Sequence, residues 1–369
     1  MPMKSLALAI LLLGFYVSMN AQQSSSDVMD WEKYDPPSTL VVPEHPTSRA
    51  KFPFVDVHSH HWRGLDRAYF EKLGREMDEL HMQAMINLSG GTGLPLKNMV
   101  DSAQRYLPGR FIVFANIELR SIDDPDFTAS TVSQLENDYH NGARGLKIFK
   151  SQGMDNKDSK GKRIAINDPR LDPVWEKCGE LGMPVLIHAA DPAPFWQPWD
   201  EQNERWLELK VRSGRRRADF EASWEQIISE QHDIFRKHPN TTFINAHLGW
   251  FANNLDTLGQ LLDAMPNMYT EIGAVIAELG RQPRAAKAFL TKYQDRVLFG
   301  KDSYNPEEYH TYFRVLETAD EYFPYYKRYH AFWRMYGLDL PDEVLEKLYY
   351  KNALKIVPGL DPDQYPQEN

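Results

Sequence analysis

Short apolar runs recur along the chain, and most of them precede a segment whose apolar residues repeat at helical spacing. Eight runs are rich in β-branched or aromatic residues, which is typical of buried strands. These runs centre near Val55, Met85, Val113, Leu146, Leu186, Ile244, Tyr269 and Leu298. The segments with helical periodicity are Arg67 to Leu80, Leu96 to Tyr106, Ala129 to His140, Leu171 to Leu181, Ser223 to Lys237, Leu255 to Ala264 and Arg281 to Tyr293.

Strands that alternate with helices in this way predict an α/β protein with a parallel sheet. The first run is not followed by the Gly-x-Gly-x-x-Gly turn of a dinucleotide-binding sheet. Eight repeats of strand and helix therefore predict a (β/α)8 TIM barrel. Two segments exceed a minimal barrel, and we expect helical insertions there: 191–219 after the fifth strand and 307–337 after the eighth.

The two insertions differ in composition. The first interleaves tryptophans with charged residues, among them Trp196 and Arg205. Loops after barrel strands lie on the face that carries the chemistry, so this insertion is either a substrate lid or a solvated helical excursion. On the first interpretation Trp196 and Arg205 are substrate-binding candidates. The second insertion is rich in Tyr and Phe, a composition that favours packing over a ligand cage.

Four of the eight runs end on residues that can bind a metal. His58 and His60 close the first run, and because residues i and i+2 of a strand share a face, both can point at one centre. His188 and His247 follow the fifth and sixth runs, and Asp302 follows the eighth. Neutral imidazoles and a carboxylate are ligands that a divalent metal such as zinc prefers. The pattern therefore predicts one metal site at the carboxyl ends of the strands.

With these motifs the chain resembles the metal-dependent amidohydrolase superfamily. More narrowly, it resembles the amidohydrolase-related branch that includes decarboxylases such as aminocarboxymuconate-semialdehyde decarboxylase. The resemblance covers roughly residues 52 to 358. Lys301 is a departure, because relatives usually have a small Thr or Ser before the aspartate, and a lysine beside a metal should turn away from it. The matching segments are Asp56-Val57-His58-Ser59-His60, Gly145-Leu146-Lys147-Ile148, Val185-Leu186-Ile187-His188, Ala246-His247-Leu248-Gly249, Leu298-Phe299-Gly300-Lys301-Asp302 and the closing Lys351-Asn352-Ala353.

The residues and the resemblance give the same division of roles. His58, His60, His188 and Asp302 are the expected metal ligands, and a single Zn2+ is the expected cofactor. Asp302 is also an expected catalytic residue that accepts a proton from metal-bound water. His247 is expected to polarise the substrate or move a proton, although its role as ligand or catalyst stays open.

Three further residues near these strand ends are candidates for roles at the site, and Lys147 has two alternative interpretations. A bare ammonium beside a dication is unfavourable, so Lys147 is a metal ligand only if it is carbamylated, in which case it would bridge two metals. Otherwise Lys147 could bind a substrate carboxylate together with Lys150, which we count among the substrate-binding candidates. Glu271, at the end of the seventh run, is a candidate partner that orients a ligand imidazole.

The amino terminus reads as an export signal. Lys4 precedes an apolar stretch from Leu6 to Val17, and small residues lead to Ala21, so residues 1–21 are a predicted signal peptide. We expect an extended leader over 22–49, the barrel over 50–360 and a tail over 361–369. The only cysteine, Cys178, cannot form an internal disulfide. Export without disulfides favours a bacterial periplasm.

Net charge narrows the choice of partners. The chain carries a formal charge of −10, which argues against nucleic acid or an anionic membrane as its partner. We expect the substrate to be a small molecule, and we expect no stable membrane anchor once the signal is cleaved. A homo-oligomer is compatible with the sequence.

Three functions fit the predicted site. The leading hypothesis is a metal-dependent hydrolase in which metal-activated water attacks a C–N or C–O bond of a small molecule. The alternative is a non-oxidative decarboxylase of a small carboxylic acid that uses the same metal site. The third is a metal-binding periplasmic protein without catalysis, against which the presence of both His247 and Asp302 argues.

Overall fold

The structure, a computed structural model, describes residues 29–62 and 65–367. Eight short parallel strands form the barrel, and each contains the centre of one predicted run. The predicted (β/α)8 barrel is therefore confirmed. The strands are β1 Phe54–Ser59, β2 Met82–Asn87, β3 Phe111–Val113, β4 Leu146–Ile148, β5 Val185–Ile187, β6 Phe243–Asn245, β7 Met268–Glu271 and β8 Val297–Leu298.

Parallel pairing links the strands in chain order. β1 to β3 form one continuous ladder and β4 to β8 another. An isolated parallel bridge between Ala115 and Leu146 joins the two ladders. The barrel closes where Val57 N donates to Phe299 O at 3.0 Å and Asp302 N donates to His58 O at 2.7 Å. Since β1 and β8 meet there, His58 and Asp302 become neighbours although they are far apart in sequence.

Helices follow the strands and cover the barrel with their apolar faces. Several begin with a side-chain cap, such as Asp66 accepting from Tyr69 N and Ser223 accepting from Gln226 N. The predicted helices at 67–80 and 255–264 have the expected bounds. The helices around the barrel are Arg67–Leu80, Gly93–Tyr106, Phe127–His140, Asp172–Glu180, Trp224–Lys237, Leu255–Ala264, Ile276–Arg281, Pro283–Lys292 and Pro306–Glu317.

Apart from the helix Pro306–Glu317, the elements of the two insertions are short. The first has a helix at Trp206–Val211, flanked by 3-10 turns at Ala193–Phe195 and Ser213–Arg215. The second begins with the helix Pro306–Glu317 and continues into an antiparallel ribbon of β9 Phe323–Pro324 and β10 Arg334–Met335. Five of its aromatic side chains are buried, which agrees with the expectation that they pack: Tyr309, Tyr312, Phe313, Phe323 and Tyr325.

The carboxyl-terminal helix is hydrogen-bonded to β8 and to the residue that follows it. It runs from Asp342–Glu346 through a π turn at Lys347–Lys351 to Asn352–Ile356. Phe299 N donates to Leu348 O at 2.9 Å, and Asn352 Nδ2 donates to Val297 O at 2.8 Å. The widened turn thus lets helix groups bond the strand that precedes Asp302.

Residues 42–369 form one compact unit, and residues up to 41 form a separate one. Of the latter, the described part holds a 3-10 turn at Trp31–Lys33 capped by Asp30. The predicted signal peptide, 1–21, lies outside the described residues. Among those described, no helix combines the length and the apolarity that a bilayer crossing would require. The leader, barrel and tail boundaries stay predictions.

Candidate metal centre

The histidines and the aspartate predicted from strand ends converge at the carboxyl end of the barrel. His58 lies within β1, and both it and His247 are fully buried. One nitrogen of His58, one of His247 and an oxygen of Asp302 all lie within 4.8 Å of one another. His58 Nε2 is 3.4 Å from Asp302 Oδ1, and His60 Nε2 is 3.7 Å from the same oxygen. His188 Nδ1 lies 3.2 Å from His247 Nε2, so its ring reaches the same centre.

Buried partners on the outer side fix the orientation of these rings. His58 Nδ1 lies 2.9 Å from Glu271 Oε1, and His247 Nδ1 lies 2.7 Å from Gly273 O. Each acceptor holds a proton on Nδ1, which leaves the lone pair of Nε2 facing the centre. Glu271 also accepts from His247 N at 2.7 Å. The expected orienting role of Glu271 thus extends to two histidines, because one carboxylate lies between the ends of β1, β6 and β7.

Burial keeps the imidazoles of His58 and His60 neutral. Burial and, after it, the nearby charge of Lys147 lower the pKa of His60 to about 4. The same two causes lower the pKa of His58. Burial works to raise the pKa of Asp302, but the neighbouring His58, His247, His60 and Lys147 outweigh it and bring the pKa to about 2. Neutral nitrogens and an ionised carboxylate are the protonation states that a divalent metal needs.

Backbone strain is concentrated beside the centre. His247, Leu248 and Trp250 have φ values of 59°, 52° and 61°, and Asp302 has a φ of 83°. Such left-handed conformations cost energy for residues with a side chain. At Gly249, a Cβ would lie 2.4 Å from Asn245 Nδ2, so only glycine fits this turn. The strained turns carry two of the candidate functional groups on rigid supports.

Asp56, quoted in the first motif without a role, ties the first and last strands together. Its Oδ1 accepts from His58 N at 3.0 Å and from Lys301 N at 3.1 Å, and its Oδ2 accepts from Tyr309 Oη at 2.5 Å. Burial raises the pKa of Asp56 to about 7, against the lowering effect of these hydrogen bonds. Its position in Asp-x-His-x-His, two residues before a ligand candidate, was a usable signal.

Lys301 turns away from the centre, as predicted. Its amine donates to Glu308 Oε2 at 2.6 Å and also to Ser303 O. Lys147, in contrast, stays close, with Nζ 3.4 Å from His58 Nε2. Burial lowers the pKa of Lys147 to about 8, although Asp302 and Glu271 oppose this shift. A larger neutral fraction of the amine is compatible with carbamylation, and the bridging role stays a prediction.

A cavity of about 310 Å3 opens on the centre and is lined by His188, His247 and Asp302. Of the three substrate-binding candidates, Lys150 and Arg205 also line it. Trp196 is not among the lining residues, since its Nε1 donates to Ala222 O at 3.0 Å and its ring packs on Phe220. The insertions add lining residues that sequence reasoning did not select, above all Arg212, Lys327, Tyr329 and His330.

The sequence profile of the amidohydrolase family matches residues 55–359, most of the chain. This chain belongs to the amidohydrolase family. Members of the family bind a divalent metal, and the His58–His247–Asp302 cluster of this amidohydrolase can hold one. The donors fit such an ion by their chemistry. Its identity as zinc and the full ligand set with His60 and His188 stay predictions.

Solved structures share the fold at low sequence identity. A dihydroxybenzoic acid decarboxylase from Polaromonas sp. JS666, with bound manganese and 2-nitroresorcinol, has a TM-score of 0.53 at 13% identity, covering 83% of this chain and 96% of that one. The 2,6-dihydroxybenzoate decarboxylase from Rhizobium has a TM-score of 0.50 at 14% identity, covering 83% of this chain and 98% of that one. A protein from Staphylococcus aureus named as an amidohydrolase has a TM-score of 0.51 at 15% identity, covering 82% of this chain and 99% of that one. No curated protein matches the chain.

Proposed function

We propose that this amidohydrolase is a metal-dependent hydrolase that cleaves a C–N or C–O bond of a small molecule. The observation that carries the proposal is the convergence of His58, His247 and Asp302, with atoms within 4.8 Å of one another, on a cavity of substrate size. His58, His60, His188 and Asp302 are the proposed holders of the metal. A divalent metal there would supply Lewis acidity, which lowers the pKa of bound water and polarises a substrate oxygen.

The residues around the centre divide the remaining work. Asp302 is ionised and borders the cavity, so it can accept the proton that the attacking water loses. His247 has its Nδ1 committed to Gly273 O, so its Nε2 lone pair can take up a proton, and the protonated nitrogen can then polarise a substrate group or pass the proton to the leaving group. Glu271 holds both His58 and the His247 backbone, and therefore acts as a positioning residue.

Decarboxylation of a small carboxylic acid is the second candidate. The observation that favours it is a small excess of cationic side chains in the cavity, five against four carboxylates. Cations beside a metal suit a substrate with a carboxylate. Two structures of the same fold are named as decarboxylases, although at 13–14% identity they share the fold alone.

Turnover by metal-depleted and metal-reloaded protein tests the proposal. A panel of amides, lactones and aromatic acids should contain a compound that is converted only after zinc or manganese is restored. Hydrolysis releases an acid with an amine or alcohol, whereas decarboxylation releases CO2, so the products separate the two candidates. Asp302→Asn should lower turnover by about 10²- to 10⁴-fold, while His140→Ala, a change at an exposed histidine, should match the wild type. Conversion that continues undiminished without metal would contradict both candidates.

We also propose that the protein is exported to a bacterial periplasm. The pattern of Lys4, the apolar stretch and Ala21 supports this. Mass spectrometry of protein from its native host should then find an amino terminus at or near Gln22. An intact Met1 would contradict export by this signal.

A further inference from the structure

The cavity beside the metal centre has charged walls that come mainly from the two insertions. Five of these side chains are cationic and four are anionic, so the balance depends on how they pair. The charged lining residues are Lys150, Asp191, Arg205, Glu208, Arg212, Arg215, Asp302, Glu308 and Lys327.

Most of these charges neutralise one another. Lys150 Nζ donates to Asp191 Oδ1 at 2.6 Å. Glu208 accepts from both of its arginine neighbours, Arg215 at 2.8 Å and Arg205 at 2.9 Å. The cations in these pairs already bind carboxylates, and they reduce the repulsion that these carboxylates would exert on an anion in the cavity.

Lys327 and Arg212 are the exceptions. Within the described part of the chain, neither side chain has an ion pair. Glu308 is the carboxylate whose charge acts most strongly on Lys327, but its Oε2 already accepts a hydrogen bond from Lys301 at 2.6 Å. The Arg212 guanidinium lies 5.9 Å from the centre of the Tyr329 ring, which also lines the cavity. Two cations from different insertions thus face one cavity with their hydrogen-bond donors unused by carboxylates.

The surroundings of Lys327 make this arrangement costly without a ligand. Burial, followed by the charge of Lys301, lowers the pKa of Lys327, and the carboxylates of Glu308, Asp302 and Glu208 oppose this shift only in part. A cation held partly out of water beside another cation gains from a bound anion, because the anion adds counter-charge in direct contact.

We propose that Lys327 and Arg212 form an anion-binding subsite, and that the substrate of this enzyme carries a carboxylate or a similar small anionic group. The subsite would hold this group while the reacting bond lies toward Asp302 and the histidines, since all of them line the same cavity. This inference rests on the proposed function, because it takes the cavity as the place of the substrate. Binding alone can test it without turnover.

Calorimetric titration of the metal-loaded protein with glutarate, and with its uncharged diamide, is the direct test. Glutarate should bind and the diamide should not. Lys327→Met should weaken glutarate binding about 10- to 100-fold, as expected for the loss of a charge-assisted hydrogen bond. Lys327→Arg should restore most of the affinity. Arg212→Gln, a change at an exposed residue that should not disturb folding, should weaken binding by a smaller factor.

Lys97→Met serves as the matched control, because Lys97 pairs with Asp101 on an outer helix and should leave glutarate binding unchanged. Glutarate binding that survives both Lys327→Met and Arg212→Gln would be binding to the metal alone and would overturn the subsite. Equal binding of glutarate and the diamide, or no glutarate binding to the wild type, would overturn it as well. Since metal content and turnover are measured separately, none of these results by itself rejects the metal-dependent reaction.

Discussion

The side chains of the metal centre come from the ends of barrel strands, whereas the charged wall of the adjacent cavity comes from the two insertions. His58 is held by a strand, a buried carboxylate and the barrel closure. Arg212 and Lys327 lie in or beside short turns. Strand ends place catalytic groups with little freedom, while insertions can vary without disturbing them. The proposed division therefore places the chemistry on the barrel and substrate recognition on the insertions.

The largest effect is expected at the strand ends. His247→Ala removes a polarising or proton-transferring group from the centre and should lower turnover by about 10²- to 10⁴-fold. Asp302→Asn should lower turnover as strongly, with a smaller loss of metal than His58→Ala causes. The measurement is steady-state kinetics on a converted substrate, with metal content determined for each variant. His247→Ala with full metal occupancy and unchanged turnover would show that the catalytic pair is misassigned.

Glu271→Gln should have the next largest effect, because it weakens the support of His58 without touching the substrate. Changes to such orienting groups typically reduce metal affinity by about 10- to 100-fold. Competition with a metal chelator gives the affinity directly. Glu136→Gln, at an exposed position on an outer helix, is the control. Equal chelator resistance of Glu271→Gln and the wild type would argue against a positioning role.

Acidification should release the metal late. The pKa of His60 is lowered to about 4 and that of Asp302 to about 2, so protons compete for these groups only in strong acid. Metal content after dialysis should thus hold from pH 7 to about pH 5 and fall as the pH approaches 4. Loss of most of the metal already at pH 6 would mean that the imidazoles are not neutralised by burial as described.

An insertion variant should have the smallest effect on the metal. Arg205 donates to Glu208 at 2.9 Å and also pairs with Glu278, and all three side chains are buried. Arg205→Ala leaves two buried carboxylates short of a partner and should destabilise the fold by about 3–5 kcal/mol. Arg67→Ala, which removes an ion pair with Glu71 between two exposed side chains, should cost under about 1 kcal/mol. Thermal unfolding measures the loss of stability in each variant. Metal loss in Arg205→Ala would show that this insertion also supports the metal centre, against the division between barrel and insertions.

Period and length of the apolar runs were enough to locate the strands and most helices. The helix Ile276–Arg281 escaped because six residues are too few to show a helical period, and five of them are buried. The ribbon of β9 and β10 escaped because strands of two residues are too short to alternate.

The same limit applies to the site. Residues at strand ends could be predicted, since barrel geometry gathers them whatever their sequence distance. The cavity wall could not, because it depends on how two insertions meet in space whether a cation pairs with an acid, as Arg215 does, or has no ion pair among the described residues, as is the case for Lys327. Trp196 was predicted to bind substrate and does not line the cavity. A tryptophan in a loop at the carboxyl end of the strands can instead pack against its own insertion, as Trp196 does against Phe220.

Metal content measured by elemental analysis, on protein purified without added metal and again after zinc is restored, is the most direct test of the metal centre at the strand ends. We expect about one divalent metal per chain, with His58→Ala unable to retain it, and a value near two would favour a carbamylated Lys147. Wild-type protein that contains no metal and takes up none from zinc would contradict a metal centre at this site.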